Sequence, residues 1–382
     1  MHLAINAWFW DSPGTGSGQY TWRLVESLVA LAPDLRITLV VPWDGKGPIP
    51  RSVPTPPAPC VTHAVPNSRS NLGKVRFEQV AFPRACKSIG ADVAHAPYWA
   101  PPARASVPIV VTIHDLIPLV LPGYRGGLLQ RLYTSLVSAT ARGATLVLTD
   151  SRASRQDIVS RLALPRQRVR AIPLAAHERY TPDPAPDDTP VRASYGVPGR
   201  YVLYLGGFDR RKDLATVFAA YHWAEAAIDH DCHLVIAGRL PDEDTAFTPD
   251  PRRLMREASV PERLVHFTGF VDEEDKPALY RGAVAFLFPS RCEGFGLPPL
   301  EALACGTPVV GSEAASLPEI VGDAGILMEP GDDQGMAGAM IQLATDEAFR
   351  EEMSRRAVAQ AGTFSWSRTA QATLLAYRDA KS

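Results

Sequence analysis

Two acidic and two basic residues carry the densest chemistry in this 382-residue chain. Glu293 and Glu301 stand in FLFPSRCEGFGLPPLEALACGTPVV, and Arg211 and Lys212 stand side by side in YLGGFDRRKDLATVFAAY. The first segment reads as a buried strand, then a loop with Gly294 and Gly296, then a helix. That helix opens at Pro298-Pro299 and stops at Gly306, because proline suits a first turn and glycine a left-handed C-terminal cap. A helix start presents unbonded amides and about half a positive elementary charge, so an anion such as a diphosphate fits near Gly294 to Leu297. Glu301 is expected in the first helical turn, so that both carboxylates flank the same spot. Taken singly, Glu301 is equally readable as a complement to the helix dipole and Glu293 as a solvated loop residue.

In the second segment a strand and a glycine turn lead into a helix for which Asp213 is the expected N-cap. Arg211 and Lys212 then sit at a helix start, where cations are electrostatically misplaced unless a phosphate binds between them. Near the N-terminus, SPGTGSGQYTWRLVESL is a glycine loop feeding a helix, and the amides of Gly16, Ser17 and Gly18 can approach an anion or a hydroxyl closely. It fails the dinucleotide fingerprint, because Thr21 stands where the third glycine belongs. His114 follows the apolar run VVTI, a place more often structural than chemical. Asp242-x-Asp244 in RLPDEDTAF imitates a metal-binding pair, but its polar surroundings make it surface charge.

Short β-rich runs alternate with helical patterns, as in parallel βαβ units. LAINAW, ITLVVP, DVAHAP, PIVVTIHD, ATLVLTDS and VRAIPL form a first series; YVLYLGG, HLVIAG, LVHFTGFV, VAFLFPS, PVVGS and AGILME form a second. Helices are expected near 19–31, 127–141, 213–227 and 298–305. Residues 181–199, dense in Pro and Asp, suit neither regular element. The expected organisation is an α/β chain with a first domain over 1–178, a linker over 179–199, a second domain over 200–363 and a terminal helix over 364–382 that packs on the first domain. Parallel sheets bind ligands beyond the carboxyl ends of their strands, which is where the residues above fall.

Composition narrows the classes. Thirty-nine basic against 41 acidic residues leave a net charge of −2, without the basic footprint that duplex nucleic acid requires. Five cysteines, at 60, 86, 232, 292 and 305, form no C-x-x-C pair, so a reducing cytoplasm is expected. MHLAINAWFW lacks the layout of a signal peptide, and no apolar run approaches the roughly 18 residues of a membrane span, so any membrane contact would be peripheral.

The Glu293 segment resembles the E-x7-E motif of retaining glycosyltransferases of the GT-B fold, family 4 in particular. The resemblance continues through FEQVAFPRACKSIGADVAHAPYWAPP, TDSRASRQDI, FTGFV and FSWSRTAQATLLAYRDA. It implies two Rossmann-like domains facing each other across a cleft, with the acceptor on the first and a nucleotide sugar on the second. It also implies that Glu293 lies by the donor sugar, that Glu301 holds the ribose hydroxyls, and that Arg211 and Lys212 grip the diphosphate. Phe295 and Gly296 would offer amides, and Gly207, Gly238, Val271, Gly294 and Leu297 complete the donor site; many members carry Arg where this chain has Gly207. Gly16, Ser17 and Gly18 would close over the phosphates, and His114 would position the transferred sugar. The implied activity is retaining hexosyl transfer with no metal and no cofactor, GDP-mannose standing ahead of UDP-sugars, as in bacterial mannosyltransferases of surface-polysaccharide assembly. The acceptor would be a glycan, a lipid-linked sugar or a small molecule, and the place of work the cytoplasm or the inner face of its membrane. An epimerase or phosphorylase on the same architecture, and a non-catalytic nucleotide-sugar-binding subunit, stay open at this point.

Overall fold

A computed structural model of the chain describes residues 1–12, 14–43, 55–228 and 231–382. The chain divides into two compact units, residues 1–174 with 365–382, and residues 175–364.

The first unit holds a seven-stranded sheet of β1 (His2–Asn6), β2 (Arg36–Trp43), β3 (Val61–Pro66), β4 (Val93–Ala96), β5 (Ile109–Thr112), β6 (Leu146–Thr149) and β7 (Val169–Ala171), in the order β3-β2-β1-β4-β5-β6-β7. Every pairing is parallel. The second holds six parallel strands, β8 (Arg200–Leu205), β9 (Cys232–Ala237), β10 (Val265–Gly269), β11 (Phe286–Phe288), β12 (Val309–Ser312) and β13 (Gly325–Met328), ordered β10-β9-β8-β11-β12-β13. Each sheet reverses its winding once, at β1/β4 and at β8/β11. At such a reversal the connections leave in opposite directions and open a crevice beyond the strand ends.

Strands covered on both faces need apolar residues throughout, which explains the unbroken apolar runs. In β8, Val202 and Tyr204 join one buried cluster with Leu234 and Ile236, while Tyr201, Leu203 and Leu205 join another with Val235 and Phe288. Strand β3 escapes sequence reading because it is an edge strand, half-buried and broken in its apolar pattern by Thr62 and His63.

The segment expected to be a linker contains a helix, Asp188–Ser194, and belongs to the second unit, whose border falls after Leu174. Pro190 sits in its first turn, where the amide that proline lacks would have no intrahelical partner. The Arg281 guanidinium donates through Nε and Nη2 to the two oxygens of the Asp188 carboxylate, and Tyr195 donates to Asp275 at 2.7 Å. The terminal helix, Trp366–Lys381, is part of the first unit: Thr369 donates to the Pro173 carbonyl and Tyr377 meets His95 at 2.7 Å.

Gly16, Ser17 and Gly18 also differ from expectation. They are the first turn of the Gly16–Leu31 helix, not a loop, and the Gly18 amide already donates to the capping Thr15 hydroxyl. A Cβ at Gly18 would lie 2.1 Å from the Ser12 carbonyl oxygen, whereas one at Gly16 meets nothing within 4 Å. Gly18→Ala is therefore expected to destabilise the protein by roughly 1–3 kcal/mol, as overpacking does. Gly16→Ala should be neutral or slightly stabilising. Urea unfolding midpoints of the two variants check this, and equal midpoints would contradict it.

Candidate functional site

In the second unit a cluster of charged residues stands at the β8/β11 reversal. Beyond β8 the chain passes Gly206 and Gly207 and makes a single 3-10 turn, Arg210–Lys212. Beyond β11 it runs through Ser290 to Gly296 before the Leu297–Ala304 helix. The two connections are bonded together: the Arg291 amide donates to the Arg211 carbonyl at 2.8 Å, and the Arg211 guanidinium returns a bond to the Cys292 carbonyl at 3.1 Å.

Glu293 is the centre of this cluster. Its Oε1 accepts from Lys212 Nζ at 2.6 Å and Ser290 Oγ at 2.6 Å, and Arg211 Nη1 lies 2.7 Å from the same oxygen. Arg211 also pairs with Asp209 at 3.2 Å, and Lys212 Nζ lies 4.8 Å from the centre of the Phe288 ring. Burial alone would raise the Glu293 pKa, but Lys212 and then Arg211 outweigh it and hold the carboxyl below its ordinary range. The cations are held in place by this carboxylate. They are not loose on a solvated loop.

Asp213 does not cap the following helix as expected. It adopts a left-handed conformation, φ 51° and ψ 44°, that asparagine and aspartate tolerate best among side-chain-bearing residues. Its carboxylate turns to Arg291, 2.8 Å from Nε.

The Glu293 loop is fixed from behind by two serines that sequence reading passed over. Ser316, fully buried, donates to the carbonyls of Phe295 at 2.5 Å and Glu293 at 3.2 Å, and Ser312 donates to the Ser290 carbonyl. Their signal lay in PVVGSEAAS, at the carboxyl end of the strand beside β11. Gly296 takes φ 115°, and its added Cβ would come 3.1 Å from Leu317, so the turn into the helix needs glycine. Gly294 and Leu297 flank that turn, placing the helix start where an anion was expected. The Phe295 side chain is buried against Phe364, and Val271 is buried in the core, so each has its backbone to offer a ligand. A Cβ at Gly238 would fall 2.3 Å from the Gly206 carbonyl oxygen, whereas at Gly207 it meets only the Asp209 carboxylate at 3.7 Å.

Glu301 lies in the second turn of its helix, not the first, because the helix begins at Leu297. It is buried and has different partners from Glu293: the Tyr280 hydroxyl, at 3.1 Å, and Tyr180. Burial pushes its pKa up to about 7, against the opposing pull of Lys276.

In the first unit, His114 stands two residues beyond β5. Nδ1 meets the Asp150 carboxylate at 2.7 Å, Nε2 meets the Pro97 carbonyl at 3.2 Å, and the Tyr20 ring abuts it edge-on at 4.9 Å. Both facing oxygens accept hydrogen bonds, so both ring nitrogens donate and the imidazolium is favoured. Burial lowers the pKa of this group, yet Asp150 chiefly outweighs it and the net shift is upward. Beneath it, His95 bonds to Thr112 at 2.8 Å and to Tyr377, and burial drives its pKa down to about 3, so it is neutral. The Asp242-x-Asp244 pair is surface charge: Asp244 bonds Arg253 at 2.7 Å.

The Glu301 environment has a sign that can be tested. A carboxyl whose pKa is raised in the folded state costs stability as pH climbs from its unfolded value through about 7, since the unfolded chain releases that proton first. Glu301→Gln removes this cost. Its stability relative to the native protein should be greater at pH 8 than at pH 5 by up to about 3 kcal/mol. A difference that is flat with pH would contradict the assignment.

Residues 14–177 match the family model "Glycosyltransferase Family 4", and residues 192–360 match "Glycosyl transferases group 1". The O-antigen chain mannosyltransferase B of Escherichia coli is 33% identical over 270 residues, covering 70% of this chain and 70% of that protein. The serotype-specific mannosyltransferase WbdA of Escherichia coli is 31% identical over 68% of this chain, but the match spans only 32% of its own length. Among solved structures, a sucrose-phosphate synthase from Thermosynechococcus elongatus shares the fold with a TM-score of 0.74 at 23% identity, covering 99% of this chain and 98% of that one. The chain belongs to the group 1, family 4 glycosyltransferases and is a transferase of the GT-B fold.

Proposed function

We propose that the chain transfers a hexosyl group, with mannose from GDP-mannose as the favoured donor, to a glycan, lipid-linked or small-molecule acceptor with retention of configuration. The observation that carries this reading is the convergence of Lys212, Arg211 and Ser290 on one oxygen of Glu293 beside the glycine turn into a helix. Breaking the bond between the anomeric carbon and the diphosphate oxygen leaves negative charge on the diphosphate and oxocarbenium character on the sugar. Lys212, Arg211 and the amides around Gly296 supply fixed positive charge to the first, the part that a metal ion takes in other designs. The Glu293 carboxylate faces the second. Three donors on Oε1 drain its nucleophilicity, which favours electrostatic support of the cationic sugar over a covalent intermediate. The acceptor then attacks from the face the diphosphate leaves, giving its proton to the departing phosphate oxygen.

The preference for mannose rests on the mannosyltransferases among the relatives. A UDP-sugar is the second reading, because no side chain at the site selects a base. The Glu301 carboxylate, beside Tyr280, is the proposed holder of the ribose hydroxyls.

One set of assays tests the reading. GDP and GDP-mannose should raise the melting temperature more than UDP, ADP or their sugars, because a ligand that binds only the folded state stabilises it. Lys212→Ala should stay folded and lose roughly a hundred- to thousandfold in kcat, the scale set by removing one preorganised donor. Near-native turnover in Lys212→Ala would refute the site, while stabilisation by UDP alone would refute only the donor.

A further inference from the structure

The polar stretch over residues 242–249 takes no part in the Glu293 cluster, yet its conformation is fixed by hydrogen bonds. Asp244 pairs with Arg253 at 2.7 Å and accepts from the Asp250 amide at 2.9 Å, and the Thr245 amide donates to the Thr248 carbonyl at 3.1 Å. The Arg210 amide donates to the Phe247 carbonyl at 2.8 Å, which ties the stretch to the Arg210–Lys212 turn. Between the two lies a cavity of about 430 Å³. Small-molecule sites span roughly 300–1,000 Å³.

The floor of this cavity is apolar and its rim is charged. Phe208 and Leu214 belong to the buried core, Leu254 packs against it, and Ala246 and Pro249 close one side. Asp209, Arg210, Asp213 and Arg291 stand on the rim. Asp209 pairs with Arg211 at 3.2 Å and Asp213 with Arg291 at 2.8 Å. Arg210 is exposed, and among the described residues it enters no ion pair. Arg210 directly precedes Arg211, and Arg291 stands two positions before Glu293, so the cavity shares its wall with the charged cluster.

Such a lining discriminates between ligand classes. The two rim carboxylates repel a phosphate or another anion. A purely apolar group would strip water from four charged side chains and replace none of their hydrogen bonds. A neutral hexose ring suits both parts of the cavity: its C–H face covers the floor, while its hydroxyls accept from the guanidinium groups and donate to the carboxylates. We infer that the cavity holds a hexose unit of the acceptor glycan, at least one sugar away from the hydroxyl that receives the transferred group. Resting on the reading of the chain as a hexosyltransferase, this narrows the acceptor to a chain of two or more neutral sugars. A glycan whose end reaches the Glu293 cluster is then held at two points, and longer acceptors bind better than single sugars.

Binding of methyl α-mannoside and of α-linked mannotriose to the full chain tests it, by saturation-transfer NMR titration with hydrogen exchange to locate the contact. Mannotriose should bind about tenfold more tightly than the monosaccharide. It should also slow amide exchange at residue 210 and over residues 245–250, which the monosaccharide leaves unchanged. Ala246→Trp fills the cavity from its exposed wall, and Arg210→Ala removes the guanidinium that has no ion pair. Each should bring mannotriose down to the affinity of the monosaccharide, and in Ala246→Trp the circular dichroism and the rise in melting temperature given by GDP should stay native. Equal affinity of the native protein for the two sugars would overturn the inference, as would undiminished mannotriose binding in both variants. The nucleotide melting assay is read on its own, so failure of the donor reading is distinguishable from failure of the glycan cavity.

Discussion

A single carboxylate organises the second unit. Glu293 is removed from most solvent, a position that disfavours its charged form, and it stays ionised because Lys212 and Arg211 reach it from a loop 81 and 82 positions earlier in the chain. Taking away the carboxylate would leave both cations uncompensated, and loss of a buried pair's partner commonly costs about 3–5 kcal/mol, whereas loss of one cation leaves the other on Glu293. The pairing in turn needs the sheet order. β11 enters beside β8, past β9 and β10, and only this reversal brings the two loops together. Ser312 and Ser316, at the end of β12 and beyond, then hold the Glu293 loop by its carbonyls. Topology, burial and charge are here parts of one arrangement, which sets two cations and an anion at fixed positions before any ligand arrives.

The first unit has the same strand order at β1/β4 but furnishes it differently. Aromatic contacts dominate beyond β1, where Trp8 packs on Phe77, Phe9 on Tyr98 and Trp10 on Trp22. Its charged contacts include the His114–Asp150 pair, resting on the neutral His95–Thr112–Tyr377 network that anchors the terminal helix, and the Arg69–Asp11 and Lys74–Glu78 pairs beside those aromatic rings. One topology thus supports a cluster centred on one carboxylate in one unit and an aromatic edge with separate ion pairs in the other. The difference comes from a few residues after the strands and not from the sheets, which are apolar in both.

Much of this was legible from the chain itself. Strands covered on both faces announce themselves as apolar runs, and ligand-bearing loops follow them, so Glu293, Arg211, Lys212 and His114 could be picked out by position. Edge strand β3 could not, because half-burial weakens its pattern. The Asp188–Ser194 helix was hidden by the prolines in and around it, although its hold on the second unit depends on Arg281, 93 residues away. Gly18 looked like a ligand-binding glycine, yet its proximity to the Ser12 carbonyl is reason enough for the residue. Pair partners were the least legible feature. That Asp213 would choose Arg291 over its own helix, and that Glu293 and Glu301 would have separate partners, are tertiary outcomes no local spacing encodes.

We propose that the β8/β11 reversal holds the departing diphosphate. A crystal structure with a bound nucleoside diphosphate tests it most directly. Phosphate oxygens are expected within hydrogen-bonding distance of Lys212 Nζ, the Arg211 guanidinium and the amides between Gly294 and Leu297. A diphosphate bound elsewhere, with Lys212 and Arg211 still engaged only by Glu293, would contradict it.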